Sequence, residues 1–294
     1  MTTLRKSALV VSVGVLCSVL GLASPCAAAT ATPSFSFAFG TAGSGNGQFN
    51  APVAVATDSE TGDVYVADDA NNRVQEFTSR GAYLYQWSVA NPVAVAVDST
   101  TGAVYADALE DGSIYVLDSD GTTTLFASGF DLPESVAVNQ SSGNVYVLDT
   151  YASTVDVFTS SGASVTSWGS SGNGNGQVYV PLGIAVSPVN GHVYVSDTGN
   201  GRIEAFTSSG TYVRQWAGCD YCKGLTIDRY GHVYVAQNYG ENIDEYTSAG
   251  KLMVGWGTYG TKHGEFKSPS GVALYGSLIY VADGGNNRID VSKK

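Results

Sequence analysis

The sequence predicts an all-β protein: a six-bladed β-propeller of four-stranded blades, with an N-terminal strand completing the last blade. Three observations lead there. The stretch Val64–Asp68, reading Val-Tyr-Val-Ala-Asp, returns as Val104–Asp107, Val145–Asp149, Val193–Asp197, Val233–Gln237 and Ile279–Asp283, with tyrosines 40 to 48 residues apart. A period in that range marks a repeat architecture. Tyr, Val, Thr, Ser and Gly are abundant while Leu, Lys and Met are scarce, which favours strands and tight turns over helices. Finally, the chain shows one fewer outer strand than blades at its C-terminal end and a spare strand at its N-terminal end.

Residues 1–29 read as a secretory signal peptide. Arg5 and Lys6 give the positive start, Ala8 to Leu22 the apolar core, and Ala27-Ala28-Ala29 a small-residue cleavage site. The apolar run is shorter than the ~20 residues of a spanning helix. The expectation is a secreted, extracellular protein, free of the membrane after cleavage, with its propeller over 30–294. Loss of Arg5 and Lys6 takes the formal net charge from −12 to −14. With basic residues sparse and scattered, this excludes a nucleic-acid partner, which requires clustered Lys and Arg.

Within each repeat the first strand follows a proline in five cases: Pro52, Pro92, Pro133, Pro181 and Pro269; in the fifth repeat Cys222 stands near that position. An Asp, Ser, Asn and Gly-rich turn such as Ser59–Gly62 then makes a hairpin. The Val-Tyr-Val stretch is the second strand, and its apolar residues on both faces require cover from both sides. Third strands follow at Arg73–Phe77, Ser113–Leu117, Thr154–Phe158, Arg202–Phe206, Asn242–Tyr246 and Arg288–Val291. Fourth strands end in Trp87, Phe126, Trp168, Trp216 and Trp256, and the sixth repeat stops before its own. Ser34–Gly40, whose Phe39-Gly40 matches Trp168-Gly169, supplies the missing strand and closes the ring.

Gly45-Asn46-Gly47-Gln48-Phe49-Asn50-Ala51-Pro52, then Ala-Val-Ala-x-Asp, Val-Tyr-Val-Ala-Asp and Asn71-Asn72-Arg73-Val74-Gln75-Glu76-Phe77 together resemble the NHL repeat. The match is best in the first, fourth and sixth copies. The second and third, with Leu109–Gly112 and Tyr151–Thr154, lack the Asn-x-Arg pattern. The resemblance implies a six-bladed propeller but no single activity.

The repeated acids Asp68, Asp107, Asp149, Asp197 and Asp283 fit turn caps with Arg73, Arg202 or Arg288 as charge partners. Calcium is the cation such a ring leaves open; no cofactor is otherwise called for. Function is sought where the repeats differ, beside the prolines: Val53, Val93, Glu134, Leu182, Lys223 and Ser270. Of these Glu134, Lys223 and Ser270 are the candidate ligand-binding residues at the channel mouth, and no catalytic residue is assigned. The resemblance to propeller lyases would put a Pro-His-Gly histidine there, and this chain has none. His192 and His232 read as turn residues before Val-Tyr-Val, and His263 lies in a Gly-rich connector. The connectors Gly43–Gly47, Gly172–Gly176 and Tyr259–Gly264 look like phosphate loops, but no helix follows them. Cys219 and Cys222 are expected to form a local disulfide in an oxidising exterior. The expectation is a monomeric, non-catalytic binding or scaffold module for a protein or cell-envelope or polysaccharide ligand. The alternative is an extracellular lyase or hydrolase with a metal-dependent site over the central channel.

Overall fold

The computed structural model describes residues 31–294, so the expected signal peptide lies outside the described residues. Its strands form six antiparallel four-stranded sheets, each one blade. Blade 1 is Pro52–Thr57, Val64–Asp68, Arg73–Phe77 and Tyr83–Ser88, and blade 2 is Val95–Asp98, Ala103–Ala108, Ser113–Leu117 and Thr123–Ser128. Blade 3 is Pro133–Val138, Val145–Asp149, Thr154–Phe158 and Ser164–Trp168; blade 4 is Gly183–Val186, Val193–Asp197, Arg202–Phe206 and Tyr212–Ala217. Blade 5 is Cys222–Ile227, Val233–Gln237, Asn242–Tyr246 and Leu252–Trp256. Blade 6 joins Pro269–Tyr275, Leu278–Asp283 and Arg288–Lys293 to Ser34–Phe39. The inner strand of each blade neighbours the next, and the sixth neighbours the first. No helix among the described residues is long and apolar enough to cross a membrane.

The two-faced second strands explain what holds the ring. Val64 and Val66 pack with Tyr280, Ala282 and Ile289 of blade 6, whereas Tyr65 packs with Val95, Val97 and Val104 of blade 2. The same alternation recurs at every seam, so the apolar core is divided into six clusters, one between each pair of neighbouring blades. Each cluster removes apolar area from water only when two blades meet. Blade and ring stability are therefore inseparable.

Ring closure follows the expected path. Ser34 pairs with Lys293, Ala38 with Asp290 and Phe39 with Ile289 in an antiparallel ladder, with one irregularity between Phe35 and Phe37. Phe39 then reaches into blade 1, its ring 5.0 Å from that of Phe77 and 6.4 Å from that of Phe49. The strand thus joins the last blade by backbone and the first by packing.

Register corrects one expectation. Asp107 pairs with Ile114, and Ala108 with Ser113, whereas Ala67 pairs with Val74 and Asp68 with Arg73. The second repeat has one residue fewer between its tyrosine and its acid, so Asp107 stands at the Ala67 position and alternation turns it to the other face. The aligned acids are four, not five. Asp107 Oδ1 instead accepts the N–H groups of Val93 and Ala94. That diversion is why the inner strand of blade 2 begins at Val95 rather than at Val93.

The aligned acids and arginines also explain the connectors. Arg202 donates from Nε to Asp197 Oδ2 at 2.6 Å and from its terminal nitrogens to the carbonyls of Asn173, Gly174 and Gln177. Arg73 does the same with Asp68 and the carbonyls of Ser44, Gly45 and Gln48, and Arg288 with Asp283 and those of Thr261, Lys262 and Glu265. These Gly-rich loops turn carbonyl oxygens toward a cation. A phosphate loop needs the opposite polarity, N–H groups toward an anion.

Candidate functional site

Every inner strand begins on one face of the ring, where it meets the blade-entry loops and the turns that follow the second strands. Around the axis at that face the strand openings enclose a cavity of about 210 Å³. Its walls include the apolar side chains of Val53, Val93 and Leu182, and its polar residues are Asp69, Glu134, Ser135, Lys223 and Ser270. Glu134, Lys223 and Ser270 are thus brought together from blades 3, 5 and 6. The residue after each is small because neighbouring inner strands nearly touch. A Cβ on Gly224 would lie 2.6 Å from the Ser270 carbonyl, and one on Gly271 would lie 2.9 Å from the Ala54 Cα.

Asp69 comes from the 3-10 turn Asp69–Asn71 of blade 1 and was not among the residues singled out in the sequence. Its signal was a second acid directly after the repeated one, where blades 3, 4 and 5 carry Thr150, Thr198 and Asn238. Burial raises the Asp69 carboxyl above its usual value, opposed by the Asn91 amide and by Lys223. Burial likewise raises Glu134, with Lys223 pulling it down and Asp69 pushing it up. Lys223 therefore acts on both carboxylates, yet among the described residues it forms no direct salt bridge. Ser270 is 4 % exposed, and its Oγ lacks a hydrogen-bond partner. Behind the rim, complete burial pushes Asp107 well above the ordinary carboxylate range despite two backbone donors, and its Oδ2 is unpartnered.

The lining does not fit a histidine-ligated metal. No histidine reaches it, and positive charge among the carboxylates comes from the Lys223 ammonium. His192 and His232 lie in hairpins at the far ends of the inner strands, and His263 stacks on Phe35 at 4.2 Å. The four aligned acids have their oxygens committed to chain donors: Asp149, for example, accepts the N–H groups of Asp131, Leu132 and Ala152.

The same face carries tyrosines that periodicity did not mark. Tyr151 follows the second strand of blade 3, Tyr179 enters blade 4, and Tyr221 and Tyr239 belong to blade 5. They are 79, 53, 38 and 67 % exposed. Tyr221 and Tyr239 stack face to face with centroids 4.3 Å apart. Cys219 and Cys222 are disulfide-bonded, with Cα atoms 5.0 Å apart, and so brace the loop that presents Tyr221. Tyr221 itself has a left-handed backbone, φ 52°, as do Ala51, Asn91, Val180 and Ser268 at the matching position of other blades, so that conformation belongs to the repeat and not to the disulfide. By contrast the outer-strand rings Trp87, Trp168 and Trp216 pack into the seams.

Fold and face together define a six-bladed β-propeller. Residues 49–77 match the NHL repeat, and residues 98–218 match the SMP-30/Gluconolactonase/LRE-like region. Among solved structures the chain is similar to a gluconolactonase from Xanthomonas campestris, with 16 % identity over 85 % of this chain and 88 % of that one and a TM-score of 0.67. It is also similar to virginiamycin B lyase from Staphylococcus aureus, with 13 % identity over 87 and 94 % of the two chains and a TM-score of 0.63. A third similar structure is hydrazine synthase from Kuenenia stuttgartiensis, with 13 % identity over 85 and 97 % and a TM-score of 0.64. At such identities the shared property is the fold. Comparison with curated protein sequences finds no match.

Proposed function

We propose that the protein is an extracellular, monomeric binding module that takes a glycan over the channel mouth. One observation carries the reading: exposed tyrosines of blades 3 to 5 share a face with the cavity holding Asp69, Glu134, Lys223 and the unpartnered Ser270 hydroxyl. Flat aromatic faces suit the C–H faces of a sugar ring, and unpaired polar groups at a recess suit its hydroxyls. Co-sedimentation with insoluble cell-wall and polysaccharide fractions, followed by titration with the captured glycan, tests it. The double variant Tyr221→Ala, Tyr239→Ala loses about 1 kcal/mol per ring, and so binds at least about tenfold more weakly. Failure to bind any fraction, or unchanged affinity of the double variant, overturns the proposal.

A second reading is enzymatic, and the match of residues 98–218 supports it. Glu134, whose carboxyl burial raises and Lys223 lowers, would serve as the acid–base group for a lactone or similar ester. Turnover of sugar lactones that Glu134→Gln abolishes would replace the binding reading by this one.

A further inference from the structure

At the far end of blade 5 from the channel mouth, Asp228, His232 and Glu245 bring three ligand-type atoms within 4.8 Å of one another. We propose that they form a binding site for a divalent transition-metal ion, zinc fitting best, in competition with the ammonium of Lys294.

The geometry comes from backbone register. Asp228 and His232 flank a tight hairpin turn closed by hydrogen bonds from the Asp228 N–H to the His232 carbonyl and from the Gly231 N–H to the Asp228 carbonyl. Glu245 lies opposite Tyr234 on the third strand. His232 Nδ1 is 3.0 Å from Asp228 Oδ2 and 3.3 Å from Glu245 Oε1. Those separations are close to the edge, about 3.3 Å, of a tetrahedron built on metal–ligand bonds of about 2.0 Å. One imidazole with two carboxylates is a zinc donor set that leaves a fourth position for water, whereas calcium and magnesium prefer oxygen alone.

Two further observations mark the cluster as one that seeks a cation. Glu245 is fully buried, and its Oε2 has no partner. Its Oε1 is held by Lys294 Nζ at 2.5 Å, and the same ammonium contacts the Tyr234 hydroxyl at 2.9 Å. A buried carboxylate requires compensation, and here a side chain from another blade supplies it. The Lys294 side chain is 29 % exposed, so its head group can swing into water when a metal takes its place.

The constellation belongs to blade 5 alone. The matching positions are Asp58, Asp63 and Glu76 in blade 1, and Ser187, His192 and Ala205 in blade 4. Glu76 is already bonded by the Tyr65 hydroxyl, and His192 approaches only the Asn190 amide. A fold requirement would recur around the ring, as the Asp–Arg pairs do in blades 1, 4 and 6.

Calorimetric titration of the purified protein with zinc chloride tests the proposal. One zinc per chain is expected, bound at least about tenfold more weakly by His232→Ala, since even indirect partners of a metal ligand change affinity by that much. Lys294→Ala should bind zinc more tightly than the native chain, and His192→Ala should be unchanged. Cobalt provides a readout independent of the variants, through visible absorption bands characteristic of nitrogen and oxygen ligation. Absence of stoichiometric zinc in both the native chain and Lys294→Ala overturns the site. Zinc binding unaffected by His232→Ala, or weakened equally by His192→Ala, also overturns it.

Discussion

Replacing Glu204 by glutamine should stabilise the protein at alkaline pH. Glu204 is fully buried on the third strand of blade 4, and burial raises its carboxyl to about 7 from 4.5, opposed by Arg202 and by the Gly176 N–H and reinforced by Asp197. The folded chain therefore holds that proton more tightly than the unfolded chain. The associated stability is complete below pH 4.5 and lost as pH rises through about 7. By pH 8 the ionised carboxylate costs up to about 3 kcal/mol. Blade 1 shows the remedy, because Gln75 occupies the same position. Its Oε1 accepts the Gly47 N–H at 3.0 Å, and its Nε2 donates to the Gln48 carbonyl at 2.8 Å and to Asp68 at 3.2 Å. Around Glu204 the counterparts are in place: the Gly176 N–H, the Gln177 carbonyl and Asp197, with Oε2 unpartnered. Urea unfolding at pH 5 and pH 8 should show Glu204→Gln within about 0.5 kcal/mol of the native chain at pH 5 and about 1–3 kcal/mol more stable at pH 8. A variant no more stable at pH 8, or one whose advantage is the same at both pH values, would refute the reasoning.

Asp290→Asn should repeat this in blade 6 at lower pH, because burial raises that carboxyl to about 6; the gain should emerge between pH 4 and 6 in the same assay. Deleting Ser34–Phe39 strips the outer strand from blade 6 and Phe39 from the blade 1 core, and calorimetry should find a melting temperature lower by more than about 10 °C. Replacing both Cys219 and Cys222 with serine opens a very short loop. Stability should fall by about 2 kcal/mol, with glycan affinity falling too as Tyr221 loses its brace. Gly224→Ala drives a methyl into the Ser270 carbonyl and should cost about 1–3 kcal/mol in denaturant unfolding.

Much of the fold was legible because packing repeats. The second-strand tyrosine and its apolar neighbours serve two seams at once in every blade, so their spacing counted the blades, and the unpaired Ser34–Phe39 revealed how they close. That Glu134, Lys223 and Ser270 share the channel mouth was legible for the opposite reason, since they break the pattern at positions the pattern locates. Three things were not legible. A single missing residue moved Asp107 to the other face of its strand, which only register shows. The connectors' polarity depends on which way each peptide turns, and glycine spacing does not encode it. His232 read as an ordinary turn residue, because its partner Glu245 arrives from another strand, and Lys294, which bonds Glu245 in turn, arrives from another blade. Tyr221 and Tyr239 meet for the same reason, through loops 18 residues apart.

The seam between Ser34–Phe39 and Arg288–Lys293 also bears on strand exchange between chains during folding. Its partners lie about 250 residues apart, and closing a loop of that length costs about 5 kcal/mol in chain entropy, more than any hairpin within a blade. Until it forms, blade 6 presents the exposed edge of Arg288–Lys293, and any copy of Ser34–Phe39 satisfies it equally well. Refolding at high concentration is therefore expected to let a second chain supply that strand, giving an exchanged dimer that size-exclusion chromatography would detect. A single species of one mass at every refolding concentration would show that the seam closes within the chain before strands can exchange.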